Sequence, residues 1–207
     1  MIPQLEDKFK RIFWHEIGHF VAHFFNKEYF GNLGTEIIEI TYHPEYNDFT
    51  GRLKPKKPLG QEHLEPPLKD YTNFITTIIY GCLFQSIFTN KEFEYCFDYN
   101  KSNTNGYDDA SKFWDNMRNL KVDKESIYEI VLEHFNIVKE SNCLNLLFDS
   151  NISSLILSKG QNKYEILLDQ LELHIVPFLT ELKMLYTNFY KKIYSVVNGI
   201  EYCIKTD

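Results

Sequence analysis

With 207 residues, 43% of them hydrophobic, the chain is long enough to bury the core of one domain with a modest appendage. Its 29 acidic and 22 basic residues give a net charge of −7 with no Lys/Arg-rich block, which argues against nucleic acid as the main partner. Cys82, Cys96, Cys143 and Cys203 form no C-x-x-C pair, no basic-then-apolar leader opens the chain, and the apolar run Phe74 to Phe88 is too short and too polar to span a bilayer. The expectation is a cytoplasmic protein with reduced thiols and no membrane contact.

Pro3 suits the first turn of a helix, and apolar residues recur at helical spacing from Leu5 to Phe25, predicting one helix of about two dozen residues. Within it stands His15-Glu16-Ile17-Gly18-His19, an H-E-x-x-H pattern. Residues four apart share a helix face, so His15 and His19 can offer imidazole nitrogens to one divalent ion, with Glu16 beside it. Ile12, Phe13, Ile17, Phe20, Val21, Phe24 and Phe25 make the helix apolar nearly all round, and burying two His and a Glu without partners would be costly. A catalytic zinc site has three protein ligands and one open position, so a third ligand is required. The pattern points to zinc-activated hydrolysis with Glu16 as proton acceptor. His23, two turns beyond His15, lies about 12 Å further along the axis and is expected to support the site or the core rather than bind metal.

Gly31, Asn32 and Gly34 end the helix, and the β-branched run Thr35 to Tyr42 reads as a strand. A second strand follows over Phe49 to Leu53, and prolines from Pro55 to Pro67 mark a surface loop. Helical spacing returns from Leu68 to Asn90, with Gly81 mid-helix, where a glycine is costly unless another backbone approaches closely. After the polar run Asn100 to Gly106, Asp108 and Asp109 stand at a helix start, where capping accounts for one carboxylate and leaves the other free. Beyond Val122 the chain reads as helices only: Lys124 to Glu140, Cys143 to Ser158, and Lys163 to Tyr202 with a break near Pro177.

This order of features resembles the peptidase domain of FtsH-type zinc metalloproteases. The resemblance runs through His15-Glu16-Ile17-Gly18-His19, the strand Ile37-Ile38-Glu39-Ile40 followed by Pro44 and Gly51, Ile79-Tyr80-Gly81-Cys82, and Gly106-Tyr107-Asp108-Asp109-Ala110. It implies a mainly α (α+β) zinc-metallopeptidase domain over residues 1–160, with a small sheet or hairpin after the H-E-x-x-H helix and a helical extension over 161–207 packed on the same domain. It also implies that His15, His19 and an Asp bind Zn²⁺ and that Glu16 is the catalytic base. The family's ligand Asp is followed by small or apolar residues one, four and eight positions later. Asp109 has Ala110, Phe113 and Met117 there, whereas Asp108 has Asp109, Lys112 and Asn116, so Asp109 is preferred and Asp108 kept as the alternative. Ile37, Ile38, Glu39 and Ile40 would form the edge strand that pairs with an extended peptide.

Two departures shape the expectation. Cys82 and Phe84-Gln85-Ser86 replace the family's small residues, and the chain has no G-x-x-x-x-G-K-[ST] nucleotide loop, hence no motor of its own. The substrate would be a flexible peptide or unfolded protein, or one supplied by a separate unfoldase, with a homo-oligomer as a further option. Two alternatives stand beside this reading: a zinc-stabilised, non-catalytic peptide-binding or scaffold protein, and a regulatory protease resembling the ImmA/IrrE group, whose third ligand is a Glu. Glu133, His134 and His174 are the fallback ligands.

Overall fold

The computed structural model describes residues 3–31, 33–57, 71–98, 106–120 and 122–198. The long proline loop beyond residue 57, the polar run 100–105 and the end after 198, Cys203 included, lie outside the described residues. Helix α1 (Pro3–Phe30) leads into the antiparallel hairpin β1 (Thr35–His43) and β2 (Asp48–Pro55). Helices α2 (Tyr71–Phe88), α3 (Phe93–Cys96), α4 (Tyr107–Leu120), α5 (Lys124–Ser141) and α6 (Asn145–Phe148) follow. A second hairpin, β3 (Ile156–Ser158) and β4 (Lys163–Ile166), precedes α7 (Leu168–Ile175) and α8 (Thr180–Asn198). The protein is mainly helical with one small four-stranded antiparallel sheet, an α+β architecture. Among the described residues no helix is long and apolar enough to cross a membrane.

The apolar wrap of α1 is explained by its position between two layers. Phe9, Ile12, Phe13, Ile17, Val21 and Phe25 are all buried, with the sheet on one side and α2 on the other. Helix α2 is itself enclosed, with side chains from Thr72 to Ser86 buried on nearly every face. The two helices touch through glycine. A Cβ on Gly18 would collide with the Tyr80 carbonyl, and one on Gly81 would run into the His19 ring, so the mid-helix glycine of α2 is the close approach that its cost demands. Gly18→Ala should therefore destabilise the protein by about 3 kcal/mol. Thermal melting should show this as a Tm lowered by roughly 6–12 °C.

Helix α8 closes the far side. The Tyr186 hydroxyl donates to Asn26 Oδ1 of α1 at 2.7 Å and lies 3.0 Å from Thr76 Oγ1 of α2, so one phenol ties three helices together. His134 of α5 belongs to the same core, its Nε2 2.9 Å from the Tyr80 hydroxyl and its ring stacked 4.2 Å from that of Phe189.

Two expectations are corrected by the second hairpin. The segments Cys143 to Ser158 and Lys163 to Ile166, expected as helix, contain only the single turn α6, a 3-10 turn at Ser153–Leu155, and the strands β3 and β4. Gly160, at φ +140°, makes the turn between those strands, so the boundary expected at residue 160 falls inside the hairpin. Strand β4 then pairs with β1 through Glu39, Ile40 and Thr41, giving the order β2-β1-β4-β3. Of the expected edge stretch Ile37 to Ile40, Glu39 and Ile40 are therefore interior to the sheet, while Ile37 and Ile38 pair with β2 alone. β2 pairs with one side of β1 and β4 with the other, while Ile38 and Ile40 point into the core. The edges are β2 and β3.

Candidate metal centre

The helical repeat places His15 and His19 one turn apart, with their Nε2 atoms 3.1 Å from each other. The first turn of α4 brings the third group. Asp109 Oδ2 lies 3.0 Å from His15 Nε2 and 3.1 Å from His19 Nε2, and all three residues are buried. Asp108 is exposed, and the register that turns Asp109 inward is the one that buries Ala110, Phe113 and Met117.

The protonation of His19 decides what this triangle can hold. Its Nδ1 lies 2.7 Å from the Thr77 carbonyl oxygen, which can only accept, so Nδ1 carries a hydrogen and donates it. Neutral His19 then presents the lone pair of Nε2 to Asp109 Oδ2, an acceptor facing an acceptor. Oδ2 has no hydrogen-bond partner beyond these rings, and neither has the buried His15 Nδ1. Three electron-rich atoms within 3.1 Å of one another call for a cation among them. Ligands about 2.1 Å from a tetrahedral zinc stand roughly 3.4 Å apart, close to the spacing observed, so these residues fit the metal. The Thr77 carbonyl orients His19 as backbone acceptors commonly orient metal-binding imidazoles.

In the metal-free protein a proton takes the cation's place. Burial alone would lower the His19 pKa, but the charge and hydrogen bond of Asp109, with Glu16 and Thr77 adding to them, raise it to about 9. Burial likewise pushes Asp109 up, and is outweighed by His19 and His15, which hold its carboxyl far below the usual carboxylate range. Glu16 differs. Burial raises its pKa against the opposing pull of His19 and His15, giving a carboxylate primed to accept a proton. It packs on Gly51 of β2, where a Cβ would collide with the carboxylate, and its ligand oxygen lies within 4.8 Å of those of His15 and His19. The site floors a cleft of about 1110 Å³ whose walls include Gly51 and Arg52 of β2, Phe74 of α2, and Tyr107 and Lys112 of α4.

His23 stands apart from the triangle. Its Nδ1 lies 3.1 Å from Thr35 Oγ1, and burial, with the nearby His19 charge, lowers its pKa to about 4. The fallback ligands are engaged elsewhere: His134 with Tyr80, His174 with Ser150 Oγ at 2.8 Å, and Glu133 with Lys192 at 2.7 Å. Sequence reasoning did not single out the Thr77 carbonyl, because a backbone acceptor carries no side-chain signature. Nor did it place the Cys82 thiol beside the site, although the substitution at that position was visible.

A pH dependence follows from the two depressed histidines. Burial lowers His134 to about 3 and His23 to about 4, so below pH ~6.5 the unfolded chain binds protons that the folded one refuses. His19 is protonated in both states over that range and adds no slope. Together the two histidines should cost metal-free protein roughly 2.7 kcal/mol per pH unit from about pH 6 towards pH 4, opposed by Glu16, whose raised pKa makes the folded chain the better proton binder there. Denaturant titrations at stepped pH should show the slope reduced by about 1.4 kcal/mol per pH unit in His134→Gln.

No family model matches this chain, and neither does any curated protein or solved structure with which it was compared.

Proposed function

We propose that the chain is a zinc-dependent endopeptidase of FtsH-like type that hydrolyses flexible or unfolded polypeptide. The observation that carries this reading is the convergence of three acceptor atoms, from His15, His19 and Asp109, within 3.1 Å of one another beside a buried Glu16. Zinc held by those three residues would supply a Lewis acid and an acidified water. Glu16, buried beside the same atoms and lining the cleft, takes a proton from the attacking water and delivers it to the leaving amine. The terminal strand β2, which carries Gly51 over Glu16, takes over the peptide-pairing role expected of residues 37–40, offering its outer backbone edge to an extended chain. Phe74 and Ile78 on the opposite wall add apolar contact for substrate side chains.

The alternative, a zinc-stabilised binding protein without turnover, draws on a buried thiol close to the same atoms. Zinc-loaded protein incubated with an unfolded polypeptide separates the two. Fragments that disappear on chelation and return with zinc support the peptidase. Stoichiometric zinc with no cleavage of unfolded substrates would favour the scaffold, and absence of bound zinc would overturn both.

A further inference from the structure

Resting on the metal-site reading, one buried residue extends it. Cys82 follows Gly81 on α2 and is fully buried, and its Sγ lies within 4.8 Å of ligand atoms of both His15 and Asp109. Glu16 approaches His15 and His19 from the cleft that it lines, whereas Cys82 approaches His15 and Asp109 from the packed interior. The sulfur is closely packed from the other side. Gly106, just before α4, passes so close that a Cβ there would stand 2.7 Å from Sγ. Cys96 is not an equivalent candidate, since among the described residues it joins no group of metal-ligating atoms.

We propose that Cys82 is a fourth protein ligand, closing the metal in a resting form on His15, His19, Asp109 and Cys82 and competing with water for the open position. Zn–S and Zn–N bonds of about 2.3 and 2.1 Å set the two ligand atoms roughly 3.6 Å apart on a tetrahedron. From within 4.8 Å of the His15 and Asp109 ligand atoms, the sulfur therefore needs to close about 1.2 Å on each, by side-chain rotation with a small shift of α2 towards α1. As the sulfur–metal bond forms, the thiol proton leaves to solvent, and water is displaced from the fourth position. Thiolate also biases the site towards zinc and away from magnesium or manganese, which prefer oxygen ligands. The same site thus has a closed state, held by protein alone, and an open state in which Glu16 has a water to activate.

Cobalt(II) substitution under reducing conditions tests this without reference to activity. Wild-type protein should show the visible bands of four-coordinate cobalt together with a near-ultraviolet thiolate-to-cobalt charge-transfer band. The charge-transfer band should vanish in Cys82→Ser and persist in Cys96→Ala. Calorimetry in buffers of different ionisation enthalpy should show the thiol proton released by wild type and not by Cys82→Ser. Bound cobalt with visible bands but no charge-transfer band in wild type would overturn the proposal and leave the His15, His19 and Asp109 site standing. Failure to bind cobalt or zinc at all would overturn the three-ligand site and the proposal with it. Because the wild-type spectrum alone decides, a folding defect in the Ser variant does not blunt the test.

Discussion

Glu16→Gln should lower hydrolysis of an unfolded polypeptide by ~10²- to 10⁴-fold while leaving zinc content unchanged. Glutamine keeps the shape that packs against Gly51 but cannot take up the proton of the attacking water. The same replacement should raise stability near neutral pH. Burial lifts the Glu16 pKa, so the folded state favours the protonated acid, and that contribution is lost as pH rises past the ordinary carboxylate range. Glutamine removes the cost of a buried charge. A variant more stable than wild type, equally rich in zinc and almost inactive would assign Glu16 its role, because a purely structural residue would not separate the three readouts. Cleavage undiminished in Glu16→Gln would sink the mechanism.

Asp109→Ala should abolish stoichiometric zinc binding and destabilise the metal-free protein by about 3–5 kcal/mol, since it leaves the His19 cation buried without its counter-charge. Burial then acts on His19 unopposed by Asp109, and its pKa should fall below about 9. Zinc at a thousand times its Kd should stabilise wild type by about 4 kcal/mol. Melting curves should show this as roughly 8–16 °C in Tm, with no shift in the variant. Asp108→Ala is the control, because that side chain is exposed and should leave both metal content and Tm unchanged. Retention of full zinc in Asp109→Ala, with loss in Asp108→Ala, would reverse the assignment.

Much of the site was legible because it is built from short, regular elements. The i, i+4 spacing on α1 needs only the helical repeat, whereas the choice of Asp109 over Asp108 rested on the resemblance, whose small or apolar positions fall on Ala110, Phe113 and Met117, all of them buried. Gly81 announced a close approach, and Gly18 proved to be part of its partner surface. The second hairpin was illegible for two reasons. Leu144, Leu147, Ile152 and Leu155 are buried at spacings that imitate a helix, although Ser150, Asn151 and Ser153 interrupt it. Strands of three and four residues are also too short to display a two-residue period, and β4 takes its place by pairing with β1 more than a hundred residues upstream. The error carried forward to the site, because β4 covers Glu39 and Ile40 on the side of β1 away from β2, leaving β2 as the free edge beside Glu16 among the described residues.

The bond from Tyr186 to Asn26 spans 160 residues, and it constrains when the protein can finish itself on the ribosome. Helix α1 emerges with both histidines, and the phenol that locks it to α2 follows 160 residues later. At 5–20 residues per second the interval is roughly 8–32 s. Throughout that time α1 lacks its last buttress, even once α2 is there to pack against, so His15, His19 and Asp109 would reach their final rigidity only once α8 has been made.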